Sequence, residues 1–300
     1  MKIGLTGATG FVGRAVIDEA LRRRWKVVGY SRSGGIERKG LEWRSIADPT
    51  KVDLSGLDGL IHLAGEPIVG WWSKGKKAAI RNSRIDGTTA LVEAIGSMSR
   101  AQRPAALVSA SAIGYYGNRS DDWLDEEADV GFGFLSDVCR KWEAAAAPAT
   151  RLGVRVVNPR IGLVFGDGGF LERLRLPFKL GLGGRLGSGE QWMSWIHRVD
   201  LARLLLQSVA DDSIHGAVNA VSPEPVRNVD FTRTYARLLR RPAIFPVPGG
   251  VLKLLPGGMS EIFLDSQRVE PVVMEAFGFE WRFPTLEEGL TASIRDRELS

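Results

Sequence analysis

The sequence predicts an α/β fold: a doubly wound parallel sheet carrying a smaller, partly interleaved C-terminal α/β domain on the substrate side. Three observations lead there. A short apolar strand, Lys2 to Thr6, runs into Gly7-Ala8-Thr9-Gly10-Phe11-Val12-Gly13 and on into an amphipathic stretch from Val12 to Arg24. Strand-like and helix-like runs then alternate through the first half, as a parallel sheet with crossover helices requires. After Gly166 that rhythm gives way to glycine turns, prolines and short helical pieces.

Taken in order, the first turn is of the kind that binds a dinucleotide in a Rossmann sheet. Glycine at 7 permits the tight turn, glycine at 10 lets the backbone approach a pyrophosphate, and glycine at 13 lets helix and strand pack closely. The phosphates then meet the helix N-terminus, with Thr9, Phe11 and Val12 alongside. Glycine is common here, 36 of 300 residues, so the preceding strand and the following helix carry the assignment more than the G-x-x-G-x-x-G spacing does. The second strand, Trp25 to Tyr30, ends where an NAD-selective site places a carboxylate on the ribose 2′-hydroxyl. Ser31, Arg32 and Ser33 follow instead, a guanidinium between two hydroxyls, which suits the 2′-phosphate of NADP(H). The competing reading of Arg32 is a solvated loop arginine.

The stretch from Leu57 to Gly65 reads as a buried strand ending in a glycine, which brings Leu63, Ala64, Gly65 and Glu66 to the cofactor. A long helix from Lys74 to Ser99, a strand from Ala105 to Ser109, a helix from Leu135 to Thr150 and a strand from Val154 to Arg160 follow. The parts are then a dinucleotide-binding domain (1–165), a substrate-side insertion (166–194), a return to the first domain (195–222) and a C-terminal substrate-side domain (223–300). No internal repeat is visible, and Ala144 to Ala147 reads as helix interior.

Composition narrows the function classes. A chain of 300 residues, 44% hydrophobic, can bury a large core. Its net charge of +5 comes from 40 basic and 35 acidic residues that are interspersed, which argues against a nucleic-acid surface. The one notable basic cluster, Arg22-Arg23-Arg24, closes a helix, where cations favour the dipole. The single cysteine, Cys139, excludes an internal disulfide and fits a reducing compartment. No run is long and apolar enough for a membrane span, and the N-terminal strand leaves no room for a signal peptide, so a cytoplasmic protein, monomer or homodimer, is expected. The three histidines, His62, His197 and His215, lack metal-ligand spacing, and no metal is expected.

Four strings resemble the extended short-chain dehydrogenase/reductase superfamily. They are the glycine turn, Leu63-Ala64-Gly65-Glu66-Pro67-Ile68, Ser109-Ala110-Ser111-Ala112-Ile113-Gly114-Tyr115-Tyr116-Gly117, and Gln191-Trp192-Met193-Ser194-Trp195-Ile196-His197. More narrowly, the chain is similar to the NAD(P)-dependent epimerase/dehydratase-like subgroup with a conserved-unknown C-terminal domain, proteins often labelled cell-division-inhibitor-like or nucleotide-sugar-epimerase-like. The resemblance reaches Pro223-Glu224-Pro225-Val226-Arg227-Asn228 and Pro284-Thr285-Leu286-Glu287-Glu288. It implies a Tyr-x-x-x-Lys pair for redox chemistry, and this chain has none. The residues four places after Tyr30, Tyr115, Tyr116 and Tyr235 are Gly34, Arg119, Ser120 and Leu239. Matching Glu143 to the superfamily's glutamate puts the tyrosine and lysine positions on Leu135 and Cys139.

Other side chains then become candidates. Ser111 matches the superfamily serine that hydrogen-bonds the substrate oxygen. Ser109, two residues earlier, points the same way from an extended strand or caps the strand end, with Ala110 between them. Tyr116 is taken as a substrate-facing phenol, with an aromatic wall as the alternative. His197 is a candidate acid or substrate ligand, against a satisfied structural histidine. Arg160 and Glu66 are polar groups for the cofactor or substrate, while Cys139 reads as a small buried hydrophobe and His62 as structural. Trp71, Trp72, Trp192 and Trp195 line a cleft or fill the seam between lobes. The favoured function is an NADP(H)-dependent oxidoreductase or epimerase-like enzyme on a small carbonyl or sugar-like substrate; the alternative is an NADP(H)-binding regulatory protein without turnover.

Overall fold

The computed structural model describes residues 1–47, 52–254 and 256–298. Strand β1 (Lys2–Thr6) leads into helix α1 (Phe11–Arg22), followed by β2 (Lys26–Ser31), β3 (Leu41–Ser45), β4 (Gly59–His62), α2 (Lys74–Ser97) and β5 (Ala106–Ser109). Short strands β6 (Ser111–Ala112) and β7 (Trp123–Leu124) precede α3 (Phe134–Ala146), β8 (Arg155–Ile161), β9 (Leu163–Phe165) and α4 (Gly169–Lys179). Then come β10 (Trp192–Met193), β11 (Trp195–His197), α5 (Arg198–Ala210), β12 (Gly216–Ala220), β13 (Val226–Arg227) and α6 (Asn228–Leu238). The last elements are α7 (Gly249–Lys253), α8 (Glu261–Leu264), β14 (Arg268–Val269), α9 (Val272–Ala276) and α10 (Leu286–Glu298).

The main sheet runs β12-β8-β5-β4-β1-β2-β3, every pair parallel, with β6 extending the pairing of β8. Alternation along the strands sorts side chains to two faces. Ile3, Leu5, Val27, Ile61, Val108 and Val157 join α1 and α5 in one core. Val28, Leu60, Leu107 and Val156 join α2 in the other. A third core, built on Phe165, Trp195, Phe231, Tyr235 and Leu290, joins β9 and β11 to α6 and α10, and the Phe165 and Trp195 rings stack 5.0 Å apart.

Three local departures have physical reasons. Helix α1 ends before Arg24 because Arg24 sits at φ 61°. The Trp25 and Arg24 N–H groups return to the Ala20 and Leu21 carbonyls, which makes a Schellman cap with arginine at the left-handed position. Strand β3 was not anticipated: it is a half-exposed edge strand without a strong apolar run, held by Trp43, whose ring lies against Gly29 and Gly35. After α3 the chain tightens into a 3₁₀ stretch from Ala147, where Pro148 lacks the N–H to continue an α-helix. No described helix is long and apolar enough to cross a membrane.

Candidate functional site

The glycine turn has the geometry its spacing demands. Gly7 lies at φ 69°, and a Cβ there would sit 2.9 Å from the Leu63 carbonyl carbon; one on Gly13 would sit 2.2 Å from the Gly7 oxygen. A Cβ on Gly10 would meet only the Gly7 oxygen, so its outer side is clear for a ligand. Gly10 also caps α1 without any side-chain hydrogen bond, which leaves the first N–H groups of a three-turn helix facing the cleft. This cradle fits a dinucleotide pyrophosphate. Thr9 is exposed beside it, Val12 lines the cleft, and the Phe11 ring is packed under the Gly166 to Gly169 loop. Ser31 closes β2 with Arg32 and Ser33 exposed just beyond, and Arg32 has no side-chain partner among the described residues. Leu63 and Gly65 line the cleft at the end of β4, with Ala64 between them donating its N–H to Thr6 Oγ1.

From this cradle a cavity of about 540 Å³ runs past Ala110 and Ser111 to the smaller lobe. Ser111 lines the cavity and donates to Glu143 Oε1 at 2.6 Å. Glu143 is in turn held by Arg160 through Nε (3.0 Å) and Nη2 (3.1 Å). Burial works against the Arg160 charge, yet Glu143 and Tyr116 keep its pKa above the ordinary value. The sequence offered Glu143 only as an alignment anchor; its job is to fix Ser111 and neutralise Arg160.

Several expected contacts are not made. Tyr116 does not face substrate: it is fully buried, donates to Asn219 Oδ1 at 2.7 Å and accepts from Arg160 Nη1 at 3.0 Å, and burial pushes its phenol up to about 12. Arg160 is likewise off the cleft, sandwiched between Glu143 and the Tyr115 ring. His197 is buried at the β11–α5 corner, where Nδ1 accepts from the Val199 N–H and the ring packs 4.3 Å from Phe283. The Glu66 carboxylate turns away to Lys76. Ser109 is buried within the sheet, short of the cavity. His62 bonds Thr6 Oγ1 through Nδ1, and burial with the nearby Arg84 charge pulls it down to about 4, so the imidazole is neutral. Among the four tryptophans only Trp192 lines the cavity; Trp195 is core, Trp72 packs edge-on to Phe134, and Trp71 is exposed.

The opposite wall was not foreseen. Leu135 and Cys139, the positions of the missing pair, both line the cavity, and burial pushes the Cys139 thiol up to about 11, which rules out a thiolate near neutrality. Trp142, Arg84, Asn228 and Asp265 line it too. Arg84 had a signal: it lies four residues after Ile80 and four before Thr88, the buried positions of α2, where an arginine needs a reason. Asp265 had none, because it arrives from the far end of the chain. Burial, reinforced by the Glu261 charge, raises the Asp265 carboxyl to about 6.

A parallel sheet wound on both faces, a bare helix N-terminus behind a glycine turn and a serine on the cavity wall define a nucleotide-binding protein of the short-chain dehydrogenase/reductase type. The chain belongs to the NAD dependent epimerase/dehydratase family, which it matches over residues 3–220, and residues 247–293 match a domain of unknown function, DUF1731. It is 36% identical to the chloroplastic epimerase family protein SDR39U1 homolog of Arabidopsis thaliana, over 98% of this chain and 87% of that one. It is 33% identical to epimerase family protein YfhF of Bacillus subtilis, over 99% of both. The crystal structure of human epimerase family protein SDR39U1 (isoform 2) with NADPH superposes with a TM-score of 0.90 at 31% identity, covering 99% of this chain and 100% of that one. MoeE5 in complex with UDP-glucose and NAD shares the fold, with a TM-score of 0.79 at 21% identity.

Proposed function

We propose that this protein is an NADP(H)-dependent oxidoreductase or epimerase-like enzyme acting on a small carbonyl or sugar-like substrate. The observation that carries the reading is one cavity joining the glycine cradle, Ser111 and Asp265. Residues 1–165 and 195–222 would hold the nucleotide, while 166–194 and 223–300 would shape the substrate end. The glycine cradle would hold NADPH, the nucleotide with which the human relative was crystallised, and NADPH would supply the hydride when bound. Arg32, exposed and unpartnered at the end of β2, takes the 2′-phosphate.

The chain's own groups handle the proton. Ser111, its hydrogen committed to Glu143, accepts a hydrogen bond from a substrate hydroxyl and so orients the reacting carbon. Asp265 keeps its proton up to about pH 6 and donates it to the oxygen that becomes an alcohol, the task for which the superfamily tyrosine is missing. The apolar wall from Leu135 to Trp142 excludes water from the reacting atoms.

The test combines binding with turnover. Fluorescence titration is expected to show NADPH bound more tightly than NADH, with the preference lost in Arg32→Ala. A screen of hydroxy-aldehydes and hydroxy-ketones followed through NADPH absorbance should then give a rate that Ser111→Ala and Asp265→Asn each lower by about 10²-fold or more with nucleotide affinity unchanged. NADPH binding without turnover on any substrate class would instead favour a nucleotide-binding regulatory protein.

A further inference from the structure

Arg84 is a cavity-wall cation that forms no ion pair among the described residues. Arg84 projects from the middle of α2, and its Nη1 donates to the main-chain oxygens of Glu66 (2.9 Å) and Ile80 (3.1 Å). Its Cζ stands 5.0 Å from the centre of the Trp142 ring, and Trp142 is itself pinned through Nε1 to Thr88, one turn along the same helix. The guanidinium is thus held rigidly at the cavity wall. Among the described residues it forms no ion pair: the Glu66 carboxylate is taken by Lys76, and neither Nε nor Nη2 has a hydrogen-bond partner. Burial pulls the Arg84 pKa below its ordinary value, offset in part by the nearby Glu66 carboxylate.

Its place along the sheet decides what that partner is. The sheet order is β2, β1, β4, β5, so a dinucleotide with its 2′-phosphate beyond β2 and its pyrophosphate at α1 extends its other half towards β4 and β5. Gly65 follows β4, and a Cβ there would meet the Arg84 guanidinium at 3.1 Å. On the neighbouring helix α3, Cys139 lies within electrostatic reach of Arg84. The guanidinium therefore belongs to the nicotinamide half of the cleft, on the side away from the adenine.

We propose that Arg84 anchors the nicotinamide-ribose half of the bound nucleotide, its open Nε and Nη2 donating to the ribose hydroxyls, so that the cation of this site comes from α2 where position 139 of α3 offers none. The inference rests on the NADP(H) reading. The experiment uses two probes, NADPH and adenosine 2′,5′-bisphosphate, which carries the adenine half alone, each titrated calorimetrically. The wild type should bind NADPH at least tenfold more tightly than the bisphosphate; equal affinities overturn the proposal whatever the variants do. Arg84→Gln should weaken NADPH by about 10- to 100-fold, the range of a charge-assisted hydrogen bond, and leave the bisphosphate within twofold. Adding Cys139→Lys to that variant should recover most of the loss, which a purely structural role for Arg84 would not allow. Unchanged NADPH affinity in a folded Arg84→Gln, or parallel loss of both probes, refutes the anchor. A wild type that binds neither probe refutes the NADP(H) reading itself.

Discussion

Asp265, on the cavity wall, and Glu143, behind Ser111, are two carboxyls set to opposite tasks by their surroundings. Glu143 faces a guanidinium along two hydrogen bonds and acts as a fixed anion, whereas Asp265 has burial and a second carboxylate against it. The raised Asp265 pKa makes the folded state prefer the protonated form, so stability falls as pH rises from about 4, where the unfolded chain begins to ionise, and levels off above about 6. Asp265→Asn should therefore melt at a higher temperature than the wild type at pH 7 to 8, with the gap closing towards pH 4. A gap that stays constant across that range would contradict the environment described for Asp265. Removing Glu143 works the other way, because Arg160 is left charged and buried. Glu143→Ala should cost on the order of 3–5 kcal/mol in urea unfolding, with Glu143→Gln milder because its amide oxygen still accepts from the guanidinium.

At the scale of elements, legibility followed locality. The glycine turn and strands β1, β4, β5 and β8 could be read because each declares itself within a few residues, by glycine spacing or a short apolar run. Edge strand β3 could not, since half its side chains face water. Tyr116, Arg160 and His197 lie near the cleft along the chain, yet proximity in sequence does not tell which way a side chain points, and all three are buried. Arg84 and Asp265 are the converse, reaching the cavity through packing between elements distant in sequence. The end of α1 offers a clean check at this scale. Arg24 adopts φ 61°, a conformation that costs a side-chain-bearing residue about 1–2 kcal/mol and glycine none. Set against the extra unfolded-state freedom of glycine, Arg24→Gly should raise the Tm by about 1–3 °C in calorimetry.

For the whole molecule, contacts between segments distant in sequence tie the C-terminal part to the rest of the chain. β14 pairs with β7, and the buried Asp200 at the start of α5 accepts the N–H groups of Arg282 and Phe283 at 2.8 and 2.9 Å. The same interleaving governs how the chain is born. β8 is complete at Ile161, but its neighbour β12 does not begin until Gly216. At a ribosomal pace of about 5–20 residues per second, the outer edge of β8 waits roughly 3–11 s for its partner, with a row of unpaired main-chain groups available to any other strand. Self-association of nascent chains is thus concentrated in that interval, and codon changes that slow translation between residues 162 and 215 should lower the yield of native protein more than equal delays placed after residue 220.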